Sequence, residues 1–127
     1  MDYLYREVIL DHFKNPRNYG KIKNPSASFS LYNPACGDKI EMQIKLETRN
    51  SKQENRIIEE IKFGGEGCAI STASASMLTE KVLGRNIIDV QKLKTEDILK
   101  MLGITLTPTR LKCALLPLEV LHKALNF

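Results

Sequence analysis

The spacing of apolar and polar residues changes near residue 64. Between residues 28 and 63 apolar residues recur at every second position, most strictly in the stretch 38–47. There, charged or amide side chains separate four apolar ones: Ile40, Met42, Ile44 and Leu46. Strict alternation is typical of a strand with one face in the core and one in water. The stretch therefore predicts a half-buried strand.

Two shorter runs predict strands on either side of it. Phe29 and Leu31 alternate with serines before the central strand. After it, the apolar series Ile57, Ile61 and Phe63 continues the pattern, with Glu59 as a mismatch. The polar segment 48–55 reads as a hairpin loop between the second and third strands. Strands that follow one another through short polar loops favour an antiparallel sheet.

Beyond Gly64 the period becomes helical. The second predicted helix has small residues through most of 69–76, which lets it lie close to another backbone. Near the N-terminus, Leu4, Val8 and Ile9 lie on one side of a short amphipathic helix. The pattern predicts five helices in all, over 3–13, 68–83, 86–93, 95–102 and from 108 onward.

Local signals mark the ends of these helices. Gly84 is a plausible C-terminal cap, and Thr95 a plausible N-cap with acidic residues after it. Pro117 has no backbone N–H, so the last helix either kinks there or effectively begins near it. Strands followed by helices predict a single α+β domain over residues 1–127, with a three-stranded antiparallel sheet packed against about five helices.

Composition narrows the class of protein. At 43% apolar residues in 127, the chain can bury a core, yet no apolar run approaches the length of about 18 residues of a membrane span. The N-terminal residues lack the pattern of a signal peptide, so we expect a cytoplasmic protein with reduced thiols. The net charge of +4 is spread among acidic residues, without a basic cluster interleaved with aromatics. We therefore expect no nucleic-acid partner, and a surface that suits an acidic protein.

The candidate chemistry lies in three cysteines. Cys36 is in a turn, Cys68 opens the helix after a glycine loop, and Cys113 lies near the start of the last helix. A helix N-terminus favours the thiolate form, which binds soft metals and exchanges sulfur. The separations of 32 and 45 residues match no zinc-finger pattern, so the residues alone leave open a metal site and three buried core cysteines. Asp38 is either a fourth, harder ligand or an ordinary turn aspartate.

Four longer motifs resemble the U-type iron–sulfur cluster assembly family, which includes IscU, the N-terminal domain of NifU, and SufU. In chain order they are LYREVILDHFKNPRNYG, NPACGD, GEGCAISTASASML and RLKCALLPLEVLHKAL. Together they span nearly the whole chain and include every cysteine. The resemblance implies a compact α+β fold in which Cys36, Cys68 and Cys113 converge as thiolate ligands. Asp38 then completes a site for zinc or for a transient [2Fe–2S] cluster.

The motifs do not decide the branch of the family. Lys112 stands where the scaffold branch carries a histidine, and the residues 110–113 look like the corresponding pattern of SufU. The 45-residue gap between the last two cysteines has no room for the insertion of SufU, and in this the chain looks like the scaffold branch. His12 and His122 fall outside the metal positions of the motifs, which indicates surface or satisfied residues.

The resemblance implies a scaffold or sulfur-transfer protein rather than a turnover enzyme. Its partners would be a cysteine desulfurase and acceptor apo-iron–sulfur proteins, and we expect a monomer or a weak dimer. Cys113 is the candidate persulfide acceptor, with a purely structural ligand as the alternative, and Arg110 is a candidate neighbour of the site. We also expect Asp38 to keep the cluster labile, so that replacing it with alanine slows transfer. A zinc-dependent sulfur acceptor and a non-catalytic zinc-stabilised binding domain are the alternative functions.

Overall fold

The computed structural model describes residues 2–48 and 56–126, and in these it shows the expected α+β architecture. Strands β1 (Ala27–Asn33), β2 (Asp38–Thr48) and β3 (Arg56–Glu66) form one antiparallel sheet in the order β1-β2-β3. Five helices accompany it: α1 (Asp2–Lys14), α2 (Ala69–Val82), α3 (Ile87–Gln91), α4 (Thr95–Leu102) and α5 (Pro108–Ala124). The prediction of a three-stranded antiparallel sheet with five helices is confirmed. Most of the predicted hairpin loop between β2 and β3 lies outside the described residues.

One face of the sheet is the floor of the core. The alternating side chains of β2 point into it, with Ile40, Met42 and Ile44 almost completely buried. Helices α2 and α5 lie over this face and pack against each other, while α1 packs on the far side of α2. The charged residues that alternate with these apolar ones, from Lys39 to Glu47, are exposed or half-buried, as the alternation predicted. The sheet and two helices therefore form two layers around one core.

The predicted mismatch at Glu59 is a β-bulge. The pairing of β2 with β3 shifts register at this point, where Lys45 pairs with Glu60 and the next residue pairs with Ile58. The extra residue, Glu59, is exposed, and the strand changes parity behind it. As a result Ile58 rather than Ile57 enters the core, which corrects the expectation from the alternating pattern.

Helix α1 buries a different side from the one that its apolar residues suggested. Leu4 is 64% exposed and Val8 is 42% exposed, whereas Ile9 and His12 are buried against α2. His12 Nδ1 shares a hydrogen bond of 2.7 Å with the Ser76 hydroxyl of α2. His12 is thus a satisfied buried residue, one of the two roles expected for it.

One helix boundary differs from the sequence expectations. The N-cap of α4 is Lys94 instead of Thr95, because the Asp97 carboxylate accepts the Lys94 backbone N–H at 2.8 Å and closes the first turn. Helix α5 begins at Pro108, as predicted, and runs through Pro117, so the alternative of a start near Pro117 is wrong. Gly84 lies just beyond α2 with φ 81°, which suits its predicted role in ending that helix. Among the described residues, no helix combines the length and apolar character needed to cross a lipid bilayer.

Candidate metal centre

Cys36 lies in the tight loop that joins β1 to β2. The ladder between these strands ends at the pair of Asn33 with Asp38, which leaves a four-residue loop between them. The Asn33 carbonyl accepts the Gly37 N–H at 2.8 Å, and its side-chain oxygen accepts the Ala35 N–H at 3.0 Å. Gly37 has φ 76°, a conformation that glycine adopts without strain. The motif NPACGD thus builds a hairpin loop that presents the Cys36 thiol beside the first residue of β2.

Asp38 is buried, with 3% of its surface exposed, and its two carboxylate oxygens have different surroundings. Oδ1 accepts the Cys68 backbone N–H at 2.9 Å, which ties the start of β2 to the start of α2. Oδ2 is buried without a hydrogen-bond partner among the described residues. Buried carboxylate oxygens are normally paired, so this atom is suited to a ligand. An ordinary turn aspartate would be solvated.

Cys113 faces the same point from α5. Its Sγ, the Cys36 Sγ and a carboxylate oxygen of Asp38 all lie within 4.8 Å of one another. Cys113 is completely buried, whereas Cys36 is half-buried. Two thiols and one carboxylate at this separation can share one small ion after modest side-chain adjustment.

Cys68 adjoins this three-residue group without being part of it. The residue is the N-cap of α2, where its Sγ accepts the Ser71 backbone N–H at 3.5 Å. Ser71 also donates its hydroxyl to the Cys68 carbonyl at 3.2 Å. Gly67 leaves the space for this hydroxyl, because a Cβ at residue 67 would collide with it. The structure therefore brings three of the four predicted ligands together and holds the fourth nearby on the end of a helix.

In the metal-free site the Asp38 carboxylate is charged and the Cys113 thiol keeps its proton. Burial raises the pKa of Asp38, but the facing thiols of Cys36 and Cys113 and the N–H of Cys68 lower it by more, so the pKa lies below its ordinary value. Burial, the neighbouring Cys36 thiol and the Asp38 carboxylate all raise the pKa of Cys113. A cation that binds here meets a ready carboxylate and must displace the proton of Cys113.

The remaining residues singled out in the sequence are not part of this group. Arg110 is on the first turn of α5 with an exposed side chain, and its guanidinium forms no ion pair within the part of the chain that is described. Lys112 and Leu115 of α5, together with Tyr32 and Pro34, border an open groove of about 400 Å³ beside the Cys36 loop. His122 bonds to the Val90 carbonyl at 3.0 Å, and it is not part of the metal-ligand group found in the described residues.

The sequence reasoning missed the serines that support the cysteines. It noted the small residues of 69–76 only as a means of close packing, and α2 does pack closely on α5 with Ala73 and Ala75 fully buried. It assigned no role to Ser71, which contacts Cys68, or to Ser74, whose hydroxyl donates to the Ala114 carbonyl at 2.7 Å. Serines inside a buried helix face were the available signal, because buried hydroxyls are normally hydrogen-bonded.

The known proteins similar to this chain belong to one family. The family model described as the NifU-like N terminal domain matches residues 4–127. The zinc-dependent sulfurtransferase SufU of Bacillus subtilis (strain 168) is 39% identical over 97% of this chain and 90% of its own length. The iron–sulfur cluster assembly scaffold protein IscU of Aquifex aeolicus (strain VF5) is 40% identical over 99% of this chain and 76% of its own.

A solved structure shows the same fold. It is the putative iron–sulfur cluster assembly scaffold protein for the SUF system from Fervidobacterium islandicum AW-1, with a TM-score of 0.77, 27% identity and 94% coverage of both chains. The family match, the two relatives and this structure point the same way as the cysteine motifs. This chain belongs to the NifU-like N-terminal domain family, the U-type iron–sulfur cluster assembly scaffolds.

Proposed function

We propose that this protein accepts sulfur from a cysteine desulfurase and assembles a transient [2Fe–2S] cluster on Cys36, Asp38, Cys68 and Cys113 for transfer to apo-iron–sulfur proteins. The observation that carries the proposal is the buried Asp38 Oδ2, which has no partner among the described residues and lies in a group with two thiols. We assign this activity to the cytoplasm, where the thiols stay reduced.

The donor set suits a cargo that has to leave again. Thiolates hold iron firmly, whereas a carboxylate oxygen is a harder and weaker ligand for it. The Asp38 arm is therefore the weakest attachment of the cluster and the first that an acceptor can displace. Cys68 becomes the fourth ligand by giving up the long contact of its Sγ with the Ser71 N–H. Replacing Asp38 with alanine removes the displaceable arm and should slow transfer.

Sulfur acceptance requires a thiolate on this chain and a persulfide on the donor. The thiolate attacks the terminal sulfur of the persulfide, the sulfur–sulfur bond of the donor breaks, and the donor cysteine leaves as a thiolate. Cys113 remains our candidate acceptor in the metal-loaded chain, with Arg110 as the nearby cation, whereas in the metal-free chain we expect Cys68 to accept sulfur first. The burial and raised pKa of Cys113 mean that it needs deprotonation and exposure first, whereas Cys68 is half-buried at a helix N-terminus.

A zinc-dependent sulfur acceptor is the second candidate function. The observation that favours it is the similarity to the SufU of Bacillus subtilis over almost the full length of both chains. The residues present fit zinc, because three thiolates and one carboxylate satisfy its tetrahedral preference. Zinc would supply a positive charge that keeps the neighbouring thiols deprotonated.

One set of assays separates the two functions. The purified chain, loaded with zinc or stripped by a chelator, is mixed with a cysteine desulfurase and cysteine, and persulfide is mapped on Cys36, Cys68 and Cys113 by mass spectrometry. A parallel sample receives iron and sulfide, and its visible absorption and transfer to apo-ferredoxin are followed. A coloured cluster that transfers supports the scaffold. Persulfide only on the zinc-loaded chain, without a cluster, supports the second candidate. If the chain forms neither a persulfide nor a cluster, both candidate functions are refuted.

A further inference from the structure

We propose that Ser74 is a positioning residue for the metal centre, acting through the backbone of α5 on Cys113. The inference rests on the proposed function only in taking Cys113 as a metal ligand. Ser74 is completely buried, and its hydroxyl donates a hydrogen bond of 2.7 Å to the carbonyl of Ala114, the residue after Cys113. Because Cys68 is the N-cap of α2, this bond joins the helix that carries one candidate ligand at its start to the turn that carries another.

Helix α5 lacks one of its own hydrogen bonds in the turn where the Ser74 bond is made. Pro117 lies inside the helix and has no N–H, so the Cys113 carbonyl lacks its helical hydrogen-bond partner. A helix turn without one of its bonds bends and moves more readily than a complete one. The Ser74 hydroxyl bonds to the next carbonyl in the chain and holds the same turn from outside the helix.

The hydroxyl is not needed for packing or for satisfying the carbonyl. Alanine at residue 74 would remove a single oxygen atom, and the residues on either side, Ala73 and Ala75, are themselves buried alanines of α2. In a regular helix the Ala114 carbonyl would also accept the N–H of Leu118, so loss of the Ser74 hydroxyl need not leave this carbonyl without a partner. What the bond adds is a fixed distance between the two helices beside the thiols.

Such a fixed distance matters for a site built from separate elements. Cys113 belongs to a group whose atoms lie within 4.8 Å, and metal sites lose affinity when their support allows even small displacements. Removal of the Ser74 bond should therefore weaken zinc binding by about tenfold, in the range seen for groups that orient metal ligands. The loss should appear in the metal centre more than in the fold.

The test compares Ser74→Ala with Thr79→Val. Thr79 is also a completely buried hydroxyl of α2, but it bonds to the Ser76 carbonyl and to Asn18 rather than to α5. Zinc affinity is measured by competition with a chromophoric chelator, and the ligand geometry by the visible spectrum of the cobalt(II)-loaded chain. We expect Ser74→Ala to lose about tenfold in affinity and to change the cobalt spectrum, and Thr79→Val to change neither. Equal effects of the two substitutions, or none from Ser74→Ala, would overturn the proposal.

A second pair of variants keeps the test decisive if Ser74→Ala folds poorly. Pro117→Ala restores the missing N–H and lets α5 close its own turn. In that background, Ser74→Ala should cost less than twofold in zinc affinity, and an undiminished loss would contradict the positioning role. Failure of the wild-type chain to bind zinc or cobalt would instead count against the proposed metal centre itself.

Discussion

Replacement of Asp38 tests the central feature of the site. In Asp38→Ala both roles of the carboxylate are lost: the bond of Oδ1 with the Cys68 N–H at 2.9 Å, and the unpartnered Oδ2. Asp38→Asn is the matched control, because its amide oxygen can still accept the same N–H while the negative charge is gone. The comparison therefore separates a structural hydrogen bond from a metal ligand.

The two roles predict effects of different size in the two metal states. Without metal, loss of a hydrogen bond to a charged acceptor costs about 1.5–3 kcal/mol. Removal of a buried, half-satisfied carboxylate returns part of that. The metal-free chain should thus lose no more than about 2 kcal/mol of stability. With zinc, loss of one of four ligands should raise the Kd by at least about 100-fold, since loss of a mere supporting group already costs up to that much.

The assay is thermal unfolding with and without zinc at a fixed excess of the ion. A 100-fold weaker site contributes about 2.7 kcal/mol less to stability at the same zinc concentration. For a domain of this size, that is a zinc-induced rise in Tm smaller by about 10 °C. We expect this reduction in both Asp38→Ala and Asp38→Asn. A rise of wild-type size in Asp38→Ala would refute Asp38 as a ligand, and a rise of wild-type size in Asp38→Asn alone would reduce its role to the hydrogen bond.

Three further outcomes follow from the geometry. Burial lowers the pKa of His12 below its ordinary value near 6.5, so the unfolded chain binds more protons in acid than the folded chain does. The contribution of His12 to the free energy of unfolding should be complete above pH 6.5 and fall below that pH by up to about 1.4 kcal/mol per pH unit. His12→Gln should flatten this slope in urea titrations at a series of pH values. Gly65→Ala should lower the free energy of unfolding by about 3 kcal/mol, because the φ of 112° and a collision with the backbone of Lys39 both oppose a side chain there. Gly64 lies in open space, so Gly64→Ala should change the free energy of unfolding by no more than about 1 kcal/mol in the same titrations. In desulfurase assays with the metal-free chain, Cys68→Ser should lose more persulfide than Cys113→Ser, because the Cys113 thiol is buried and protonated; the reverse order would show that α5 opens before sulfur arrives.

The alternation of β2 was enough to predict its core face, but the same reasoning failed one strand later. In β2, one face is buried along most of the strand, so period and burial agree. In β3, the bulge at Glu59 inverts the parity, and a bulge depends on pairing with another strand. Glu59 was visible as a mismatch in the sequence, yet only the pairing register shows that Ile58 rather than Ile57 enters the core before the bulge.

Helix α1 shows a limit of a different kind. Its apolar residues are distributed around the helix, since Leu10 and Phe13 are exposed along with Leu4 and Val8. A pattern of this type does not say which side meets the neighbouring helix. The buried side includes a polar contact, in which Ser76 bonds to His12 and also accepts the Arg17 N–H at 2.8 Å. Such a contact spans 64 residues and has no local signature in the sequence.

The residues of the candidate site could be predicted from the sequence because they lie in motifs specific to one family. Local spacing did not favour a metal site, and the resemblance to a family supplied the expectation that three distant cysteines converge. The structure brings Cys36, Asp38 and Cys113 together as expected and holds Cys68 on the end of α2. The buried serines of α2 indicated that their hydroxyls have partners, but the partner of Ser74 could not be predicted, because its bond depends on how closely α2 approaches α5.

The long separations between the cysteines have a consequence for the order of events during folding. In a zinc finger the ligands are close along the chain, so the ion can gather them before anything else is formed. Here the thiols are 32 and 45 residues apart, and closing loops of that length costs roughly 3–4 kcal/mol each in chain entropy. Packing of the sheet and helices must offset this loss of chain entropy before the thiols can bind an ion together. The newly made polypeptide is therefore expected to fold without metal and to bind its ion or cluster only afterwards. Binding and release can then be repeated by the same folded molecule.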